Sequence, residues 1–189
     1  MNFKNIFLVG FRAVGKSTVA PIFAQKLGYE LVEMDTMIQE KTGQSVAELT
    51  QNGTNWTKFR NIETEILTQL VKGQGRIVSC GGGCGVNDLT GKAQKKLLNS
   101  SDENLVVLLL ANEQTIATRL RQNYEKLENQ DQNHRQSLDG SQNDDINEKV
   151  AKDMEIYRLR LPLYRDLTKF YINSDQDIDL VVGEIMGLL

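Results

Sequence analysis

The sequence predicts an α/β protein: a parallel β-sheet with helices on both faces, three layers in all. Three observations carry that expectation. Two short apolar runs, Ile6-Phe7-Leu8-Val9 and Leu105 to Leu110, are continuous, as in strands buried on both faces. Between the strand candidates lie segments whose apolar residues recur at helical spacing. The connections are too long for hairpins, so successive strands run parallel and are joined by crossovers.

Each element has its own signal. The first run ends at Gly10, and after Gly15-Lys16-Ser17-Thr18 the residues Val19, Ile22, Phe23 and Leu27 mark a helix that Gly28 closes. Pro21 lies inside that helix and is expected to remove a hydrogen bond or kink the second turn. Tyr29 to Val32 reads as a second strand. Phe59, Ile62, Ile66, Leu67 and Leu70 form one stripe of a helix that stops at Gly73. Ile77-Val78 leads into Gly81-Gly82-Gly83, Leu105 to Leu110 is the clearest buried strand, and Phe170-Tyr171-Ile172 is the last. Ile178, Val181, Val182, Ile185 and Leu189 mark a C-terminal helix. From Gln122 to Glu148 the composition shifts to Gln, Asn, Asp and Glu, which suits a solvated loop or a mobile lid over a site.

Composition excludes several classes of function. The 189 residues carry a net charge of −3, which argues against a nucleic-acid-coating surface. One histidine leaves little scope for a zinc site or a Ser/His/Asp triad, and two cysteines, Cys80 and Cys84, make no disulfide framework. Buried, inert thiols are the expectation for that pair. The run Leu105 to Ala111 is too short to span a bilayer, and Ile6 to Phe11 is too short for a signal-peptide core. No repeat is present. A single cytoplasmic domain over residues 1–189, monomeric and without nucleic-acid or membrane partners, is expected.

Gly10-Phe11-Arg12-Ala13-Val14-Gly15-Lys16-Ser17 fits the phosphate-binding pattern G-x-x-x-x-G-K-[ST] between a strand and a helix. Glycines let the backbone curl so that N–H groups, from Ala13 and Val14 to Thr18, converge on a phosphate at a helix N-terminus. Lys16 is placed to reach the β- and γ-phosphates, and Ser17 to bind Mg²⁺. A nucleoside triphosphate is therefore the expected ligand. Three weaker signals favour a small-molecule kinase. Asp35 follows the second strand, where a carboxylate orients an acceptor hydroxyl, although an Asp there is often only a helix cap. Arg60 has Glu63 one turn on, a spacing that usually means a surface ion pair. Gly81, Gly82 and Gly83 follow the third strand, where missing side chains admit a ligand to the backbone.

In this order the motifs resemble those of the shikimate kinase family. That family has a phosphate loop, Asp-x-Asp after the second strand, Phe-Arg-x-x-Glu, Gly-Gly-Gly, a lid arginine and Arg-x-Pro-Leu-Tyr. Here the last is Arg160-Leu161-Pro162-Leu163-Tyr164, and Gly43-Gln44-Ser45-Val46-Ala47-Glu48-Leu49 is similar to the segment between the family's substrate helices. The resemblance implies a nucleoside-monophosphate-kinase-like fold in which residues 35–73 bind substrate and 122–148 form the lid. It implies transfer of the ATP γ-phosphate to shikimate, a ring with one carboxylate and three hydroxyls. Arg60 and Arg160 would clamp the carboxylate, Asp35 would hold the acceptor hydroxyl, and Gly81 to Gly83 would complete the ring pocket. Arg135 would fold over the phosphates, and Arg119 or Arg121 would lie beside the adenine.

Four departures from the family pattern bear on rate and metal geometry. Glu33 stands for the first Asp of Asp-x-Asp, whose family role is to hold Mg²⁺ through water. Cys80 stands for a threonine, Gln136 for the lid proline, and Thr168 for an alanine. A kinase of another small polyhydroxy acid such as gluconate, or a regulator that has lost catalysis, are the alternatives. The absence of an Asn-Lys-x-Asp motif speaks against a GTPase switch.

Overall fold

The computed structural model describes residues 3–128 and 145–189. Five strands form one all-parallel sheet: β1 (Asn5–Val9), β2 (Glu30–Glu33), β3 (Arg76–Ser79), β4 (Asn104–Leu110) and β5 (Tyr171–Asn173), in the order β2-β3-β1-β4-β5. All five residues of β1 are buried, as are the first six of β4. Their unbroken hydrophobicity thus follows from helices covering both faces.

The helices are α1 (Lys16–Leu27), α2 (Met34–Thr42), α3 (Val46–Leu49), α4 (Thr57–Leu70), α5 (Gly91–Leu98), α6 (Glu113–Glu128), α7 (Ile146–Arg165) and α8 (Ile178–Met186). From β1 the chain moves toward the β2 edge, but from β2, β3 and β4 it moves the opposite way across the sheet. Right-handed crossovers therefore put α1 on one face and α4, α5 and α7 on the other. The chain leaves β1 on the opposite side from both its neighbours, β3 and β4. A crevice opens at such a switch, beyond the carboxyl ends of the strands. The phosphate loop follows β1 and the glycine run follows β3, so both border it.

One sequence expectation holds and another changes. Helix α1 contains Pro21 and loses one backbone hydrogen bond there. Pro21 and Ser17, whose carbonyl loses its i+4 donor, are both exposed, so water can satisfy the orphan acceptor. The polar stretch beginning at Gln122 is helical to Glu128, as the end of α6, and residues from Ile146 open α7, with the Asp145 side chain accepting from the N–H of Glu148 at 2.9 Å. Among the described residues, no helix is long and apolar enough to cross a membrane.

Candidate active site

The phosphate loop wraps the larger cavity, about 520 Å³. Gly10 has φ +138°, and a Cβ there would lie 2.5 Å from the carbonyl oxygen of Leu109 on β4. Gly15 has φ +100° and Ala13 has φ 66°, so the loop uses left-handed backbone that glycine adopts without strain. The Lys16 ammonium donates to the carbonyls of Gly10 and Phe11 at 2.8 and 2.9 Å, which draws it across the inside of the loop. Ala13, Val14, Gly15, Lys16, Ser17 and Thr18 all line the cavity.

At its floor Ser17 Oγ lies 3.5 Å from Glu33 Oε2. Burial above all raises the Glu33 carboxyl above its ordinary value; a hydrogen bond with Ser79 opposes this, the charge of Asp35 adds to it, and Lys16 and Ser17 oppose it. Ser17 and Glu33 thus offer hard oxygen donors of the kind Mg²⁺ takes alongside phosphate. Among the described residues no three His, Cys, Asp or Glu side chains gather as a metal cluster. At the cavity's other end Arg119 donates to the carbonyls of Ala13 and Ser174 at 3.3 and 3.1 Å. Arg121 turns away and binds Asn147 at 2.7 Å, so Arg119 is the one beside the nucleotide cavity. Sequence reasoning missed Gln176, which lines the same cavity and whose buried Nε2 has no hydrogen-bond partner.

The second cavity, about 170 Å³, adjoins the first and shares Arg12, Asp35, Gly81 and Gly82 with it. Asp35 is not a cap: it sits exposed in the first turn of α2, where the helix dipole favours a carboxylate. Arg60 projects from α4 and Arg160 from α7. The Arg60–Glu63 pair is not the surface ion pair its spacing suggests. Arg60 is 4% exposed and Glu63 0%, and one guanidinium nitrogen donates to both carboxylate oxygens at 3.0 and 2.8 Å. Gln94, invisible to the motif reading, donates to Glu63 at 2.9 Å and to Thr64 at 3.0 Å while accepting from the N–H of Gly85 at 2.8 Å. The Arg60 guanidinium lies 4.8 Å from the Trp56 ring centroid and 5.0 Å from that of Phe59. Trp56 therefore belongs to this cavity's wall, a contact its sequence position alone did not reveal.

The glycine run needs a corrected explanation. A Cβ on Gly83 would lie 2.3 Å from Arg60 Nη2, one on Gly81 2.8 Å from Glu63 Oε1, and one on Gly82 3.1 Å from the backbone nitrogen of Arg12. The missing side chains make room first for the protein's own charged groups, and the loop then lines the cavity. Tyr164 donates to the Gly82 carbonyl and pins that loop. Burial, with the like charge of Arg60 also contributing, lowers the Arg160 guanidinium from its ordinary value. Two guanidiniums thus face one small cavity, Arg60 with Glu63 as countercharge behind it, and an anion in the cavity would meet both. Cys80 and Cys84 are buried, and the Cys84 thiol is pushed well up by its hydrogen bond with Cys80 and then by burial, as befits inert thiols. Arg135, His134 and Gln136 lie outside the described residues.

Comparison with known proteins places this geometry in a family. A family profile described as shikimate kinase matches residues 12–189. Shikimate kinase 2 of Sodalis glossinidius is 32% identical over 186 residues, covering 98% of this chain and 95% of the relative. The structure of shikimate kinase from Acinetobacter baumannii in complex with shikimate superposes with a TM-score of 0.79 at 24% identity, covering 98% of this chain and 92% of that one. A gluconokinase from Sinorhizobium meliloti superposes with a TM-score of 0.56 at 14% identity, covering 98% and 91%; both structural likenesses speak to the fold. From the profile and the full-length relative together, the chain belongs to the shikimate kinase family.

Proposed function

We propose that this chain transfers the γ-phosphoryl group of ATP to a hydroxyl of shikimate, giving shikimate 3-phosphate, within one domain whose residues 35–73 hold the acceptor. One observation carries the reading: Arg60 and Arg160 line a small cavity that shares Asp35 with the phosphate-loop cavity. A carboxylate gripped by both guanidiniums makes charge-assisted hydrogen bonds of about 1.5–3 kcal/mol each. Its ring then rests against Gly81 to Gly83 with its hydroxyls toward Asp35. Asp35 orients the attacking hydroxyl and accepts its proton as the oxygen–phosphorus bond forms.

Lys16 and the loop N–H groups hold the phosphates, with Arg119 and Gln176 toward the nucleoside end. Mg²⁺ fits beside Ser17, with Glu33 reaching it through water; when bound it supplies countercharge to the β- and γ-phosphates. Arg135, by the family resemblance, closes over the phosphates and excludes water.

A coupled assay of ADP release over a panel of small hydroxy acids, with Mg²⁺ present and omitted, tests the reading. Shikimate should give the highest kcat/KM, and only with Mg²⁺. A clear preference for gluconate, or ADP release that no acid accelerates, would overturn it.

A further inference from the structure

Arg12 lies inside the phosphate loop and lines both cavities, yet the chemistry above gives it no part. Its Nη2 donates to Tyr124 Oη at 2.7 Å and lies 3.3 Å from Asp153 Oδ2. Its guanidinium carbon sits 5.5 Å from the Tyr124 ring centroid. Tyr124 donates in turn to the same Asp153 oxygen at 2.8 Å. Asp153 is 0% exposed and Tyr124 3%. A carboxylate this deeply buried persists where it is paired and hydrogen-bonded. The knot joins three elements: the phosphate loop, α6 and α7.

Its place on α7 gives it meaning. Asp153, Tyr157, Arg160 and Tyr164 recur every three or four residues and so share one face. Tyr157 packs its ring 5.3 Å from Phe11 in the phosphate loop, Arg160 lines the acceptor cavity, and Tyr164 binds the Gly82 carbonyl. Helix α7 therefore runs along the seam between the two cavities, and Asp153 is its foothold on the phosphate loop. The loops after β1 and β3 meet at the same point, since Gly82 packs on the Arg12 backbone.

We infer that Tyr124 and Asp153 are positioning residues that act through Arg12. They hold its guanidinium at the seam that the phosphoryl group crosses from nucleotide to acceptor. The inference rests on the kinase reading above. A planar cation fixed there in advance stabilises charge on the transferring group without reorganising, and its fork geometry is one that lysine lacks. The effect therefore falls on the chemical step and leaves the binding of either substrate nearly unchanged.

Tyr124→Phe keeps the ring and deletes one hydroxyl. It should lower kcat about tenfold, equivalent to about 1.4 kcal/mol, while both KM values stay within about twofold. In an Arg12→Gln background Tyr124→Phe should change kcat no further, and Arg12→Lys should fail to restore the rate. Tyr124→Phe with an unchanged kcat, or with the same fractional loss whether or not Arg12 is present, would reduce the knot to a structural brace and overturn the inference. Asp153→Asn should mimic Tyr124→Phe; if it fails to fold, the Arg12–Tyr124 cycle still decides. Measuring with whichever acid the panel identifies keeps the two claims separate: rejection of shikimate counts against the proposed acceptor, whereas additivity in the cycle counts against this inference.

Discussion

The two cavities share a wall but are built in opposite ways. On the nucleotide side one unbroken stretch, Arg12 to Val19, supplies the longest continuous part of the lining, and its shape comes from backbone conformation and one lysine. On the acceptor side the lining comes from the phosphate loop, α2, α3, α4, the loop after β3, and α7, and its arginine on α4 and its glycine loop are braced by groups behind them. Arg60 leans on Glu63, Glu63 on Gln94, and the glycine loop on Tyr164. A phosphate cradle can be written into consecutive residues because backbone N–H groups do the binding. A carboxylate site needs side chains converging from several directions, and burying them demands partners.

Substitutions on the two sides should therefore fail differently. The largest loss is expected from Lys16→Met, which should lower kcat by about 10²–10³-fold, as loss of a preorganised charge does. Because Lys16 also caps the Gly10 and Phe11 carbonyls, a thermal melt is needed alongside the kinetics; activity within tenfold of the wild type would break the cradle argument.

Arg60→Ala comes next and separates two effects. It strands the buried Glu63, at a cost of about 3–5 kcal/mol in stability, and it weakens acceptor binding. Adding Glu63→Gln should recover much of the melting temperature but leave the acceptor KM high. Recovery of both would mean that Arg60 is only structural.

A smaller, one-sided effect is expected from Gly83→Ala, whose new methyl group collides with the Arg60 guanidinium. Steady-state kinetics should show a raised KM for the acceptor with that for ATP unchanged; equal changes in both would erase the contrast between the cavities.

The smallest effect concerns Glu33. Its carboxyl titrates above its ordinary value in the folded chain, so the folded state binds more protons than the unfolded one as pH rises through that interval, and stability falls. Glu33→Gln should raise the melting temperature at pH 7, with the gain disappearing below the ordinary carboxylate range. A gain that persists at low pH would assign the effect to packing instead.

This contrast also explains what could be read from sequence. The strands were legible because Ile6–Val9 and Leu105–Leu110 are buried on both sides and carry no alternation to confuse. The phosphate loop was legible because its pattern is local. On the acceptor side Arg60 with its partner Glu63, Arg160, Asp35 and the three glycines emerged as an ordered set, by resemblance and by the one-turn spacing of Arg60 and Glu63, whereas Gln94 behind them did not. Gln94 reaches Glu63 from another helix, and Tyr124, Asp153 and Arg12 meet across three elements, so no spacing in the sequence announces these contacts. Pro21 removes the hydrogen bond that its sequence position announces, and the helix accommodates it because the exposed residue Ser17 leaves the freed carbonyl open to water.

The central claim is that two guanidiniums from different helices grip one carboxylate beside the transferable phosphate. Calorimetric titration of the wild type and Arg160→Ala with shikimate and with its methyl ester, which lacks the negative charge, tests this most directly. The wild type should favour the acid over the ester by about 10- to 150-fold, from the ~1.5–3 kcal/mol of one charge-assisted contact, and Arg160→Ala should lose most of that preference. An acid-to-ester ratio that is the same in both proteins would contradict the account.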